Sequence, residues 1–156
     1  MDSFKLKTAT VPQTELDIQK EFCKKVRSVI SKRYDPAPLA CVVTYGCQQN
    51  VADSEKIKGM LHEMGYGITE ERTKAQLILF NTCAVREHAE DRVFGNVGAL
   101  KKYKHEHPGV VIACCGCMMQ QQHIAEKIKK SFPFVDLVFG THVIHQLPGL
   151  LYKTLT

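Results

Sequence analysis

The chain has 156 residues, 44% hydrophobic and 24% charged, with a net charge of +5; this suits one soluble globular domain, and no internal repeat or low-complexity tract interrupts it. No apolar run approaches the roughly 18 residues a membrane span needs, and the opening MDSFKLKTATVPQTELD lacks the apolar core of a secretory signal. The sequence pI of about 8.8 permits an RNA partner but falls short of the basic stripe, or pI above about 9, of a dedicated nucleic-acid binder.

Residues 1–14 are polar. Residues 15–33 read as an amphipathic helix, with Ile18, Phe22, Val26, Val29 and Ile30 at helical spacing on one side and Lys20, Lys24, Arg27 and Lys32 on the other. Tyr34-Asp35-Pro36-Ala37-Pro38 then breaks it. From residue 39 onward, strand and helix alternate. Residues 39–45 (LACVVTY) are a short apolar run, as in a strand buried on both faces. Asp53 or Ser54 would cap a helix running to about Met64, with Ile57, Met60, Leu61 and Met64 inward and Gly65 as its stop. Residues 66–70 form a weak second strand and residues 75–81 (AQLILFN) a strong third. One long helix is predicted over 87–104, a fourth strand over 110–114, a helix over 122–132 and a fifth strand over 137–140. A last helix over 143–153 should be bent or shortened by Pro148. This alternation predicts an α/β domain: a five-stranded, mainly parallel, flavodoxin-like sheet in the order 2-1-3-4-5, helices on both faces, and an extra N-terminal helix. The division expected is an N-terminal extension over 1–38 and the α/β domain over 39–156.

Seven cysteines with no secretory segment predict reduced thiols in a cytoplasmic protein rather than a disulfide scaffold. Three motifs each follow a predicted strand: T-Y-G-C-Q-Q-N at 44–50, N-T-C-A-V-R-E at 81–87 and C-G-C-M at 115–118. In the expected order these strands are neighbours, about 4.8 Å apart. Cys47, Cys83 and Cys117 should therefore meet at the carboxyl edge of the sheet, where open α/β proteins bind ligands. Structural zinc takes four ligands, usually from close pairs, and a four-iron cluster usually takes four thiolates. Three convergent thiolates would leave one iron open. Any single cysteine is more often inert packing, and Cys23, Cys41 and Cys114 keep that reading, with Cys115 undecided.

Residues 40–155 resemble the N-terminal domain of the radical-SAM methylthiotransferase family, on all three motifs together. The N-T-C-A-V-R-E form looks most like the branch acting on isopentenylated adenosine beside the tRNA anticodon. The branches acting on threonylcarbamoyl-adenosine or on a ribosomal protein are less similar there. The resemblance implies that Cys47, Cys83 and Cys117 hold an auxiliary [4Fe-4S] cluster whose open iron carries the sulfur to be transferred. It also implies a parent enzyme with a second [4Fe-4S] cluster on a C-x-x-x-C-x-x-C motif, S-adenosylmethionine as cofactor, a C-terminal RNA-binding domain and tRNA as partner. No C-x-x-x-C-x-x-C occurs in this chain. The radical-SAM and RNA-binding domains are thus expected to be absent, no catalytic residue is expected here, and the chain alone is expected to be inactive, monomeric and free of membranes.

Asn50, Asn81, Arg86 and Glu87 flank the cysteines and could bond cluster sulfides or simply cap strand-to-helix turns. Lys101, Lys102 and Lys104, like Lys127, Lys129 and Lys130, read as solvated faces rather than phosphate contacts, and His88 and His123 as surface or cap. Three rival functions stay open: a redox protein using Cys114 and Cys117 as C-x-x-C, a zinc-binding or interaction module, and an FMN binder, for which Gly46–Asn50 makes a poor phosphate loop.

Overall fold

Strand runs of Leu, Ile, Val and Phe decide the centre of the molecule. In the computed structural model, which describes residues 11–46, 48–83 and 89–156, five strands form one sheet. They are β1 (Leu39–Thr44), β2 (Gly67–Ile68), β3 (Leu77–Thr82), β4 (Val111–Gly116) and β5 (Leu137–Phe139). Their order is β2-β1-β3-β4-β5 and all four pairings are parallel, as the alternation of elements predicts. Every residue of β3 and β4 is buried, as central strands of a sheet covered on both faces must be.

Successive residues of a strand face opposite sides, and two cores result. Leu77, Leu79, Ala113 and Cys115 face α1 (Gln13–Arg33), α2 (Gln48–Glu63) and α6 (Leu147–Leu155). Ile78, Phe80, Ile112 and Cys114 face α3 (Ala89–Gly98) and α5 (Gln122–Ser131). A short α4 (Lys101–Glu106) follows α3. Among the described residues no helix is long and apolar enough to cross a membrane.

Helix α1 buries Val26 and Ile30, as its periodicity predicts, but Ile18 is 49% exposed and Gln19 takes the inward position. The reason is a polar lock: Gln19 Oε1 accepts the Gly149 N–H at 2.9 Å, where α6 approaches closely. Arg33 also donates to the Leu155 carbonyl at 2.9 Å, so α1 is tied to α6 at both ends.

Helix α2 departs from its predicted start. Asp53 and Ser54 are not caps; they lie inside the helix and are buried. Its end is as read: Gly65 takes φ +103°, its N–H reaches the His62 carbonyl and Tyr66 N–H reaches Leu61, closing a Schellman motif. Gly59 lies exposed within α2, and a Cβ there would meet nothing. Gly59→Ala should raise stability by up to about 1 kcal/mol in urea unfolding.

The single helix predicted over 87–104 is instead two, α3 and α4, with residues 87 and 88 outside the described set. Leu100 N–H bonds Val97, one residue short of α-helical pairing, and the Leu100 side chain turns into the core. Gly95 and Gly98 weaken the helix on the approach to this break. The last helix is also shorter than predicted. A 3-10 stretch at Thr141–Gln146 precedes α6, whose first turn accommodates Pro148 where no intrahelical N–H is required. Lys104 is only partly exposed, where the sequence reading has a solvated face. It pairs with Asp136, just before β5, at 2.9 Å and bonds the Val110 carbonyl, just before β4, pinning α4 to both strand starts. Lys101 and Lys102 are exposed as expected, and Lys127 lies 4.5 Å from the centre of the Phe94 ring.

Candidate functional site

The carboxyl ends of β1, β3 and β4 stand level with one another. Thr44 pairs with Asn81 and Thr82 with Gly116. The ladder continues past β1, because Tyr45 N–H donates to the Asn81 carbonyl at 2.9 Å.

Two glycines make this edge possible. Gly46, at φ +105°, has no room for a side chain: a Cβ would stand 2.8 Å from Cys83 Sγ and closer still to Cys83 Cβ. Gly116, at φ +104°, would put a Cβ against the Thr82 carbonyl, 2.6 Å from Thr82 N and 2.7 Å from Asn81 Oδ1. Both conformations favour glycine over any L side chain. The residues that precede Cys47 and Cys117 in sequence are therefore both pressed onto the Asn81-Thr82-Cys83 strand end. Cys83 is 4% exposed, whereas Cys117 is half-buried and begins a 3-10 turn, Cys117–Gln120. Cys47, Arg86, Glu87 and His88 lie outside the described residues. Among the described residues no three potential ligands gather into a metal site.

Behind the edge runs a buried polar network that the sequence reading did not foresee. Asn50 Nδ2 donates to the Thr82 carbonyl at 2.8 Å. Asn81 Nδ2 donates to the Asn50 carbonyl at 2.8 Å and to Ser54 Oγ at 3.0 Å. Ser54 Oγ in turn meets Thr44 Oγ1 at 2.6 Å, and Thr82 Oγ1 donates to the Cys115 carbonyl at 2.6 Å. Asn81 is fully buried, both protons of its amide are used within the protein, and its Oδ1 has no hydrogen-bond partner among the described residues. Asn81 is neither a helix cap nor a donor toward the cysteine edge. It fixes α2 to the end of β3, and Asn50 does the same from the helix side.

A family model described as uncharacterized protein family UPF0004 matches residues 40–140. The chain belongs to that family. It is 56% identical over 115 residues to the tRNA-2-methylthio-N(6)-dimethylallyladenosine synthase of Caldicellulosiruptor saccharolyticus, covering 74% of this chain and 24% of that protein. The synthase of the same name from Clostridium perfringens (strain 13 / Type A) is 55% identical over 117 residues, covering 75% and 26%. That of Clostridium beijerinckii is 53% identical over 122 residues, covering 78% and 27%. The chain thus spans about a quarter of the length of these relatives, and the methylthiotransferase resemblance carried by its three motifs is borne out.

The remaining thiols of this UPF0004 domain are packing groups. Cys114 and Cys115 are fully buried, on opposite faces of β4. Burial pushes Cys114 up to about 12, and burial, aided by the Cys114 and Asp53 charges, raises Cys115 as well. Burial likewise raises Cys41 and Cys23. A thiol held near 12 supplies almost no thiolate at neutral pH, so Cys114 is a poor partner for Cys117 in C-x-x-C redox chemistry. Iodoacetamide at pH 8 should leave Cys114 and Cys115 unmodified in the folded chain and label both once urea is added, as peptide mass spectrometry would read.

Proposed function

We propose that this chain is the auxiliary cluster-binding domain of a tRNA methylthiotransferase acting on isopentenylated adenosine, with Cys47, Cys83 and Cys117 as the ligands of a [4Fe-4S] cluster. The observation that carries this is the pair of glycines, Gly46 and Gly116, whose missing side chains let the segments ahead of Cys47 and Cys117 close onto the strand end that bears Cys83. The fit to a cluster rests on that cradle and on the donor set: the motifs hold four cysteines, of which Cys115 is fully buried within β4, one carboxylate, that of Glu87, and no imidazole.

The chain's own part is to hold and to orient. The Asn50–Asn81–Ser54 network anchors α2 against β3, so that the loop between β1 and α2 has fixed ends. Cys83 approaches from a buried strand end and Cys117 from a more open turn. The N-terminus of α2, starting at Gln48, is electropositive and favours an anionic group beside it. When bound, a cluster held by three thiolates supplies one iron without a protein ligand, a place where a sulfur species can be carried.

The parent enzyme would contribute the second [4Fe-4S] cluster, S-adenosylmethionine, the radical-SAM domain and the RNA-binding surface for tRNA; it would work in the cytoplasm, and this chain by itself would be a monomer without methylthiotransfer activity. Dithionite-reduced, anaerobically reconstituted chain should give the electron paramagnetic resonance signal of a reduced [4Fe-4S] cluster, and added methanethiolate should shift it. A signal indifferent to methanethiolate would mean four protein ligands and would overturn the open-iron reading.

A further inference from the structure

The loop that leaves β5 sits directly against the turn that begins with Cys117. Thr141 Oγ1 lies 3.7 Å from Cys117 Sγ, with the hydroxyl as donor. The contact is braced on both sides. Thr141 N–H donates to Gln120 Oε1 at 3.0 Å, and Gln120 closes the same 3-10 turn that Cys117 opens. Gln120 Nε2 is 3.3 Å from His142 Nε2. Gly140 leaves space for the Gln120 side chain to lie flat, since a Cβ there would be 2.5 Å from Gln120 Cγ. Segments 117–120 and 140–142 are therefore clamped together, and the Thr141 hydroxyl is the group of that clamp that reaches the sulfur. β5 pairs with β4 only as far as Phe139 opposite Cys115, so this contact carries the junction two residues further toward the edge.

We propose that Thr141 is a positioning residue for Cys117: its hydroxyl hydrogen-bonds the Cys117 sulfur and holds it in one orientation. This rests on the reading of Cys117 as a cluster ligand. A hydrogen bond to a ligating sulfur draws charge away from the iron, so it raises the reduction potential of the cluster.

Two readouts test this, one with the cluster and one without. Thr141→Val removes the hydroxyl at nearly constant volume; Thr141→Ser restores it. Circular dichroism and urea unfolding confirm that each variant is folded. In reconstituted protein, Thr141→Val should shift the cluster potential to more negative values and Thr141→Ser should return it toward wild type. In metal-free reduced chain, the S–H stretching band of Cys117, isolated as the infrared difference from Cys117→Ser, should shift in Thr141→Val, which lacks the hydroxyl donor. Thr141→Ser should restore the wild-type band. Equal potentials and an unmoved Cys117 band in wild type and Thr141→Val would overturn the proposal. Failure of every variant, wild type included, to take up iron would instead bring down the cluster reading. The infrared band would then still decide the Thr141–Cys117 hydrogen bond.

Discussion

Gly116→Ala is expected to destabilise the chain by about 3 kcal/mol or more and to prevent iron uptake. The residue sits at φ +104°, ψ −174°, a region that costs any other residue about 1–3 kcal/mol. The clash adds to this cost. The new methyl would meet the carbonyl oxygen and the nitrogen of Thr82, with Asn81 Oδ1 2.7 Å away. Those are backbone atoms of β3, the central strand, hydrogen-bonded to β1 on one side and β4 on the other and buried along its length. They cannot retreat, so the end of β4 must lift, and Cys117 moves with it. Gly46→Ala differs in kind. Its methyl would strike Cβ and Sγ of Cys83 and stand 2.7 Å from Asn50 Oδ1, so it disturbs both Cys83 and the buried network, and stability and iron uptake should both fall. Urea unfolding by circular dichroism, with iron analysis on the same samples, separates the two effects. Gly116→Ala with wild-type stability would contradict the close packing described for this edge.

Asn81→Asp is expected to destabilise the fold by several kcal/mol at neutral pH and much less in mild acid. The substitution replaces two donated hydrogen bonds, to the Asn50 carbonyl and Ser54 Oγ, by a carboxylate facing the same oxygen-rich surroundings. The site is fully buried, and an unpaired charge there is strongly disfavoured. Burial would raise the folded-state pKa of the new carboxyl above its unfolded value of about 3.9. From about pH 4 upward the unfolded chain therefore binds fewer protons than the folded one. Stability then falls as pH rises, by at most about 1.4 kcal/mol per pH unit, until the folded carboxyl itself ionises. Urea midpoints at pH 5 and pH 7.5, each referred to wild type at the same pH, should show the larger deficit at pH 7.5. A variant within about 1 kcal/mol of wild type at both values would mean that Asn81 is not the linchpin of the network.

The order and location of the strands were legible in the sequence because the strongest strands are buried on both faces and read as unbroken apolar runs. Residues 110–114 are such a run, and residues 75–81 hold one at 77–80 between Gln76 and Asn81; they became β4 and β3 with a shift of one or two residues at the ends. Polar residues were misread where burial had changed their task. Asp53 and Ser54 have the composition of a helix cap, but the helix starts earlier, and Ser54 instead joins the Thr44–Asn81 network. Lys104 was assigned to solvent for the same reason, but it bonds the Val110 carbonyl and pairs with Asp136. At the cysteine edge, the shared position after three strands marked Cys47, Cys83 and Cys117 as candidates, and the family resemblance implied that they are ligands. The demands on Gly46 and Gly116 follow from register, which places each against β3, and no local pattern encodes that. Thr141 was invisible for a related reason: its contact with Cys117 exists only because β5 lies beside β4.

Whether Cys47, Cys83 and Cys117 together hold one iron–sulfur cluster is open to direct measurement. Iron and acid-labile sulfide should be measured, with the visible spectrum, on anaerobically reconstituted wild type and on single alanine variants of Cys47, Cys83, Cys117 and Cys114. About four irons and four sulfides per chain are expected, as a [4Fe-4S] cluster requires, lost in the first three variants and kept in Cys114→Ala. Tightly bound zinc with no iron, or iron that survives loss of Cys47, Cys83 or Cys117, would contradict the three-cysteine cluster.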